Sequence, residues 1–369
     1  MSTVLSPEQL ARDLAVRDLT DPTSGPHGIQ QLIDIATRAL TRAWGCPTRV
    51  VRGPRVVPLA DNYDRLRYPP DAVTRDARYS RYVDRDHMLR SHASAMIPPA
   101  LEQLAADPVP DVLLACPGIT YRRDAIDRLH TGAPHQLDLW RITSRTRLGV
   151  RDLDEMITQL AQALFPGRDW RWEPRDHPYT VHGRQIDVRV GDEWIEVWEC
   201  GLAHPDVLAD AGLTGSSGLA LGMGLDRLFM LVKGIADIRL LRSADPRIAD
   251  QMLDLATYRP VSTLPGTRRD ISIAIDADAD VELLGDRVRE ALGRDAEMVE
   301  AVTILSTTPY AELPGTARQR LGICPHQRNV LVRLDIRPFD RTITDAAANA
   351  LRDRVFRALH QGDPSTDGG

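Results

Sequence analysis

The sequence predicts an α+β protein built from two domains. The chain has 369 residues, which is too long for one compact core and fits two domains. Residues 183–200 alternate between apolar and polar side chains on both sides of Gly191-Asp192, a pattern typical of an antiparallel hairpin. Just beyond residue 255 comes RPVSTLPGTRRD, a proline- and arginine-rich segment that we interpret as the domain joint.

The first domain is predicted to contain two amphipathic helices and several strands. A helix is expected from His27 to Trp44, because apolar residues recur there every three or four positions and Gly45 follows. Residues 46–60 predict a strand interrupted at Gly53-Pro54. A second helix is expected from Asp152 to Phe165, with Asp152 or Asp154 as its N-terminal cap. Further on, the strand GLALGMG leads directly into the helix LDRLFMLVKG.

The second domain has the element order strand, helix, strand, strand, helix. These elements are predicted at Asp270–Ile275, Val281–Leu292, Met298–Ser306, Val330–Ile336 and Thr344–His360. This order is most of a ferredoxin-like split β-α-β unit. The tail GDPSTDGG is too polar and too rich in glycine for the closing strand, so disorder is expected there.

Charge and cysteine content narrow the function classes. The net charge of −6 argues against bulk electrostatic capture of nucleic acid, although a local basic face can still bind RNA. Cys46, Cys116, Cys200 and Cys324 lie far apart, which disfavours both a zinc site and a disulfide framework. The charged N-terminal segment and the lack of 18 consecutive apolar residues predict a cytoplasmic enzyme without a membrane partner.

Two segments carry residues suited to phosphate chemistry. In residues 218–231, Gly222 and Gly224 would let a flat ligand approach the backbone, and Arg227 could reach a phosphate from the first helical turn. The plain alternative is a glycine-kinked strand with an exposed arginine. In residues 118–139, Arg122 could neutralise a phosphate and His130 could donate to a leaving phosphate oxygen. Asp124 and Gln136 could hold an ammonium group or an adenine edge, or the whole segment could be a solvated surface hairpin.

Taken together, these segments resemble the conserved motifs of class II aminoacyl-tRNA synthetases of the phenylalanine type. YRRDAIDRLH…HQLDL is similar to motif 2 and GLALGMGLDRL to motif 3. Residues 25–57 resemble motif 1, with Pro54 at the position of its proline. MLRSHASA resembles the amino-acid-gripping stretch, and WIEVWECG resembles the strand before motif 3. The C-terminal segments TRRDISIAI and VRLDIRPFDRTITDAAANAL resemble the anticodon-binding domain of single-chain organellar enzymes.

The resemblance implies an architecture and a reaction. An N-terminal extension (1–20) would precede a catalytic domain (21–255) with an antiparallel sheet flanked by helices. A ferredoxin-like anticodon-binding domain (256–361) and a disordered tail (362–369) would follow. The implied reaction joins an amino acid to AMP with ATP and Mg²⁺, then transfers the aminoacyl group to tRNA. Motif 1 usually forms a dimer interface, but single-chain relatives can be monomeric, so the resemblance leaves both a monomer and a homodimer open.

The resemblance also implies roles for individual residues. Arg122 would hold the α-phosphate, Arg227 the γ-phosphate and His130 the β/γ end, while Glu196 would act through Mg²⁺ or ATP. The remaining implied ATP ligands are Asp124, Gly222 and Gly224. The implied amino-acid ligands are His92, Ser94, Gln136, Asp138 and Ala220, and the implied RNA ligands are Arg268, Arg269, Arg337 and Arg341.

The largest departure from the family concerns the wall of the amino-acid pocket. Family members have a Phe-Pro-Phe element there, which surrounds the aromatic ring of the substrate. The corresponding residues here are WRWEPRDHPYT, 170–180. One register puts Glu173-Pro174-Arg175 at the wall, a second uses Trp170-Arg171-Trp172, and a third has no wall. Because a buried Glu173 or Arg175 beside a benzyl ring would be costly, the first register favours a polar substrate. Two alternatives therefore stand beside a phenylalanine-specific enzyme. One is a paralog that activates another amino acid, for tRNA or for a non-tRNA acceptor, and the other is a non-catalytic RNA-binding relative. Retention of Arg122 and Arg227 argues against the latter.

Overall fold

A computed structural model describes residues 4–123, 126–261, 265–279, 283–339 and 341–363. Contacts divide the chain into two compact units. The first comprises Met1–Arg122, Ala133–Leu241 and Ala249–Tyr258. The second comprises Arg123–Gly132, Arg242–Ile248 and Arg259–Gly369. Asp124, a predicted ligand of adenine or ammonium, lies outside the described residues.

The first unit is built around a mixed sheet. Its strands are β1 (Thr48–Val50), β2 (Val56–Pro58), β3 (Arg81–Tyr82), β4 (His87–Leu89), β5 (Asp111–Ile119), β6 (His135–Thr143), β7 (Trp170–Pro174), β8 (Thr180–Val190), β9 (Glu193–Ala203) and β10 (Ser217–Gly224). Its helices are α1 (Pro7–Leu14), α2 (Gly28–Trp44), α3 (Leu59–Asn62), α4 (Ile97–Ala106), α5 (Val150–Leu164), α6 (Pro205–Asp210) and α7 (Leu225–Lys233), and α8 (Pro246–Ala249) follows.

The main sheet has the order β1-β5-β6-β10-β9-β8-β7, and β2, β4 and β3 form a separate small sheet. The β1–β5 pair is parallel, and the other pairs of the main sheet are antiparallel. The predicted antiparallel fold class is thereby confirmed. The predicted single strand at 46–60 is wrong in detail, since β1 and β2 lie in different sheets on either side of Gly53-Pro54.

Local sequence signals explain most of these elements. Helix α2 begins after His27, whose Nδ1 accepts from the Ile29 amide at 3.1 Å, and ends at Gly45 with φ 63°. Helix α5 begins after Gly149, earlier than predicted. Asp152 is not its N-cap but accepts from the Gly149 amide at 2.7 Å from the third helical position.

The core of the first unit includes a layer between α4 and the sheet. Ile97, Leu101 and Leu104 of α4 pack with Leu114, Trp140 and Ala220 of β5, β6 and β10. Strand β10 runs straight into α7, as the sequence predicts, and the β8–β9 hairpin turns at Gly191-Asp192 with Val190 paired to Glu193. Polar residues of β6, β9 and β10 are thereby set on a rigid, well-packed sheet.

The second unit has the predicted order of elements. It contains β11 (Thr267–Asp276), α9 (Leu284–Leu292), β12 (Val299–Pro309), α10 (Gly315–Leu321), β13 (Gln327–Ile336) and α11 (Asp345–Leu359). The sheet order is β11-β13-β12, all antiparallel, and α10 is an element that the sequence did not predict. Ile273, Val332 and Leu334 of the sheet are buried against Val288 of α9 and Val355 of α11.

The segment after α11 is partly fixed. The Gln361 amide donates to the Ala274 carbonyl at 2.8 Å, and the Asp363 amide donates to the Gly322 carbonyl at 3.0 Å. The predicted disordered tail from residue 362 is therefore wrong for Gly362 and Asp363, and residues 364–369 lie outside the described residues. Within the described ranges, none of the helices is long and apolar enough to cross a membrane.

Candidate active site

A row of polar residues crosses the main sheet of the first unit. In the strand register Asp138 of β6 lies opposite Gly222 of β10, and Gly222 lies opposite Glu199 of β9. Residues in register on neighbouring strands point to the same face of a sheet. Because Gly222 has no side chain, a gap separates the two carboxylates. A hydrogen-bonding ligand could lie directly on the backbone of β10 in this gap.

Asp138 is the most perturbed acid in this row. It is 2% exposed, and its Oδ2 atom has no hydrogen-bond partner within the described part of the chain. Burial raises the pKa of Asp138 to about 7, although polar contacts with Ser94 and Trp140 act in the opposite direction. A buried carboxylate of this kind is suited to a cationic ligand, whose charge would stabilise the ionised form.

Aromatic side chains surround Asp138. Tyr179 lies 6.0 Å from Trp140, 6.1 Å from Tyr68 and 5.4 Å from His177 between ring centroids. Tyr68 in turn stacks on His92 at 5.6 Å. These rings form a continuous wall with polar edges rather than a purely apolar one.

His92 is neutral within this wall. Neither ring nitrogen has a hydrogen-bond partner among the described residues. Burial, with a smaller contribution from the charge of Arg122, lowers the pKa of His92 to about 3. Unsatisfied polar atoms are uncommon in buried positions, so His92 is a candidate ligand contact.

Arg122 and Arg227 both act on this face of the sheet. Arg122 is exposed, and its Nε donates to the Ser91 carbonyl at 2.9 Å. Its charge lowers the pKa of Tyr68, which burial raises, while Asp138 and Glu199 also raise it. Burial and the neighbouring Glu199 raise the pKa of Glu196, against the charge of Arg227 on the first turn of α7. Arg122 therefore acts on Tyr68, and Arg227 acts on Glu196 beside Glu199.

A small cavity opens beside the row, lined among others by His177, Tyr179, Thr180, Glu199 and Ala220. The other predicted ligands lie on the same face. Gln136 accepts from the Ala93 amide at 2.9 Å, and Ser94 is buried next to Asp138. The structure thus brings together most of the predicted amino-acid ligands: His92, Ser94, Gln136, Asp138 and Ala220.

Comparison with known proteins decides the family. The model of the tRNA synthetases class II core domain (F) matches residues 22–252. The chain belongs to this family. It is a class II aminoacyl-tRNA ligase, and the predicted resemblance is confirmed.

Relatives match both the core and the longer chain. The chain is 30% identical to the phenylalanine–tRNA ligase alpha subunit of Prochlorococcus marinus (strain NATL2A) over 250 residues, 66% of this chain and 73% of the relative. It is 25% identical to a probable mitochondrial phenylalanine–tRNA ligase of Drosophila melanogaster over 361 residues, 82% of this chain and 75% of that protein. It is 27% identical to a chloroplastic/mitochondrial phenylalanine–tRNA ligase of Arabidopsis thaliana over 313 residues, 81% and 68% of the two chains.

The aromatic wall of this synthetase differs from all three predicted registers. Glu173 is exposed on the edge strand β7 and lies 3.0 Å from Arg171, so its placement in the pocket is wrong. Trp172 is 46% exposed and lies under the Arg184 guanidinium, which excludes it as a wall residue. The rings that line the cavity are His177 and Tyr179. Arg175 is exposed as well, and its Nε lies 3.0 Å from Glu199 Oε1.

Two sets of predicted residues lie elsewhere. His130 belongs to the second unit, where its Nδ1 lies 2.7 Å from Asp127 Oδ2. The predicted RNA-binding arginines of the second unit are engaged by neighbours. Arg268 pairs with Asp335, Arg269 with Asp345 and Arg337 with Glu300, whereas Arg341 contacts Met298 Sδ.

Six residues of the synthetase site were not selected from the sequence: Tyr68, Trp140, His177, Tyr179, Thr180 and Glu199. Tyr68 comes from a loop distant in sequence, so only the fold brings it to Asp138. Tyr179 was hidden after a run of charged residues, and Trp140 lies among the apolar residues of β6, where it resembles an ordinary core residue. Glu199 could not be found from strand alternation, because it lies three positions after Glu196, and only the irregular pairing of β8 with β9 near Asp187 puts both glutamates on one face.

The acidic side chains of the site suit a metal ion that also binds the phosphates of the substrate. Among the described residues, no cluster of three or more histidine, cysteine or acidic side chains could hold a metal ion by itself. Mg²⁺ commonly binds one or two carboxylates together with substrate phosphates and water. Glu196, next to Arg227, fits that pattern as an oxygen donor.

Proposed function

We propose that this synthetase activates an amino acid with ATP on the polar face around Asp138 and then transfers the aminoacyl group to the terminal ribose of tRNA. The supporting observation is the buried Asp138 carboxylate with an unpartnered oxygen beside the bare backbone of Gly222. The charge of Arg122 acts on Tyr68, which Asp138 also influences, and the charge of Arg227 acts on Glu196. The relatives that match are named as phenylalanine–tRNA ligases, which makes phenylalanine the reference substrate.

In the first step the substrate carboxylate attacks the α-phosphorus of ATP in line, and pyrophosphate leaves. This step depends on alignment and charge neutralisation more than on proton transfer. Ionised Asp138 pairs with the substrate ammonium and, with Gln136, fixes the direction of the carboxylate. Neutral His92 offers a hydrogen bond without adding a second positive charge beside that ammonium. Gly222 and Gly224 leave room for the flat adenylate against β10.

The two arginines neutralise the phosphates. We assign Arg122 to the α-phosphate and Arg227 to the γ-phosphate of the leaving pyrophosphate. The negative charge of the pyrophosphate increases as the bond between the α-phosphorus and the β-phosphate oxygen breaks. Glu196 would hold Mg²⁺, which when bound supplies further charge neutralisation to bridged phosphate oxygens. The role of His130 stays a prediction.

The second unit supports the tRNA half of the proposal. Its sheet exposes arginines on a small α/β domain, and such faces suit contacts with unpaired bases and phosphates. We assign tRNA recognition to this unit. A cytoplasmic location and the choice between monomer and homodimer likewise stay predictions.

The test is amino-acid-dependent exchange of pyrophosphate into ATP, followed by aminoacylation of bulk tRNA. We expect exchange with at least one standard amino acid and its loss in Arg122→Gln. Exchange that is absent with every amino acid, together with no detectable ATP binding, would refute the proposed function. Exchange without any charging of tRNA would refute its second half and favour a different acceptor.

A further inference from the structure

The cavity beside Asp138 is lined by more polar side chains than activation of an amino acid requires. Activation needs groups for the ammonium, the carboxylate and the phosphates. Glu199 and Thr180 line the cavity, but the proposed function assigns neither of them to the ammonium, the carboxylate or the phosphates. Their geometry therefore bears on the side chain of the substrate.

The Glu199 carboxylate is ionised and can accept at least one more hydrogen bond. His177 Nε2 lies 2.8 Å from its Oε2 atom, and Arg175 Nε donates to its Oε1 atom at 3.0 Å. Burial by itself would raise the pKa of Glu199, but the hydrogen bond and charge of His177 and the charge of Arg175 bring it below its ordinary value. A carboxylate has about four lone-pair sites, so two partners leave room for a further donor.

Thr180 adds a second polar group to the same cavity. Its Oγ1 atom is buried and has no hydrogen-bond partner among the described residues. A buried hydroxyl without a partner costs about 1–3 kcal/mol, and such atoms in native proteins commonly await a ligand or water. The rest of the lining near it is small, with Ala220 and Gly222.

The strand register sets Asp138 and Glu199 on either side of the β10 backbone. Neighbouring strands lie about 4.8 Å apart, so the two Cα atoms are roughly 10 Å apart across Gly222. Both side chains extend from the same face of the sheet. An amino acid whose ammonium is held by Asp138 therefore directs its side chain toward Glu199 and Thr180.

We infer that this synthetase selects an amino acid whose side chain carries a hydrogen-bond donor, with Glu199 as the residue that determines specificity. The inference rests on the proposed function, because it assigns the side-chain subsite of the same site. A benzyl group placed there would cover the Glu199 carboxylate and leave Thr180 unsatisfied, which disfavours phenylalanine. A hydroxyl, amide or amine would instead satisfy both groups.

The first experiment measures kcat/KM for pyrophosphate exchange with the full chain and each of the twenty standard amino acids. We expect the highest value for a donor-bearing side chain, at least about 100-fold above that for phenylalanine. As an independent readout, nonhydrolysable sulfamoyl adenosines carrying the preferred aminoacyl group should raise the Tm of the chain more than the phenylalanyl analogue.

Substitution of Glu199 tests the residue itself. Glu199→Ala should lower kcat/KM for the preferred amino acid by about 100-fold while changing the value for phenylalanine much less, so that the preference collapses. Glu199→Gln keeps the size and one acceptor, and should retain part of the preference. Glu193→Ala removes an exposed carboxylate from the start of the same strand and serves as the matched control, with an unchanged ratio.

The outcomes separate the inference from the proposed function. Exchange that is strongest with phenylalanine or another apolar amino acid would overturn the inference and leave the proposed function intact. A preference for a donor-bearing amino acid that persists in Glu199→Ala would overturn the assignment to Glu199. If ATP binds but no standard amino acid supports exchange, the inference fails. If ATP does not bind at all, the proposed function fails with it.

Discussion

Asp138 links the pH dependence of activity to the burial of one carboxyl group. Burial raises its pKa to about 7, so half of the unliganded molecules hold a protonated Asp138 near neutral pH. The proposed ammonium contact needs the ionised form. We therefore expect kcat/KM for the amino acid to rise with pH through about 7 and to level off above it, as measured by pyrophosphate exchange. A flat profile between pH 6 and 8 would contradict this role.

The same residue should affect stability in the opposite direction. Its pKa is higher in the folded chain than in the unfolded chain, so the folded state holds the extra proton. Its contribution to stability is present below the unfolded pKa near 4 and is lost as the pH rises toward 7. Asp138→Asn should therefore be more stable than the wild type by about 1–3 kcal/mol at pH 8 and abolish exchange. Urea unfolding at pH 5 and pH 8 measures the difference, which should shrink at pH 5.

The arginines are the other residues on which activity depends. Arg122→Gln and Arg227→Gln should each lower kcat for exchange by about 10²–10³, because each removes a positive charge from a phosphate. Arg38→Gln in α2 is a matched control, since Arg38 is exposed and pairs only with Asp34 of its own helix among the contacts described. Circular dichroism should show an unchanged fold in all three variants. Full activity in Arg227→Gln would remove it from the site.

At the scale of elements, the sequence predicted those helices and turns that depend on neighbouring residues of the chain. Helix α2, the β8–β9 turn and the β10–α7 junction follow from apolar periodicity, from Gly191-Asp192 and from capping glycines. The wall of the cavity could not be predicted in this way. Residues 170–180 contain Trp170, Trp172 and Tyr179, and only the fold shows that Trp172 is exposed to solvent whereas Tyr179 lines the cavity. Tyr68 reaches the site through tertiary packing alone.

One glycine of β5 should be important for the stability of the folded chain. A Cβ atom at Gly118 would overlap the guanidinium of the buried Arg90. Arg90 donates to the Ile119 carbonyl at 2.8 Å and to the Gly53 carbonyl at 3.0 Å, so it cannot move aside cheaply. Gly118→Ala should destabilise the chain by about 2 kcal/mol or more in urea unfolding. Gly315→Ala, where the added Cβ meets open space, should change stability by less than about 0.5 kcal/mol.

At the scale of the whole molecule, the order of elements in both units was predictable, whereas the boundary between them was not. Residues 123–132 stand in sequence between β5 and β6, yet they cluster with the second unit. Ile126 is buried in that unit's core, and its carbonyl accepts from the Val302 amide at 3.0 Å. Since no periodic pattern marks this loop, only long-range contacts could assign it.

The ion pairs of the second unit set the expected strength of its contacts with tRNA. Arg268 and Arg333 pair across the sheet with Asp335 and Asp270, which neutralises much of the exposed positive charge. A phosphate must compete with these carboxylates, and an exposed pair is worth only about 0–1 kcal/mol. Arg268→Ala should therefore raise the KM for tRNA only about two- to fivefold, whereas Asp335→Asn should lower it by freeing the arginine. Pyrophosphate exchange should be unchanged in both variants, because neither residue belongs to the first unit.

Both KM effects should also fade as salt is raised from 50 to 200 mM, as expected for contacts with phosphate. A KM for tRNA that stays at the wild-type value in both variants would place tRNA recognition on another surface.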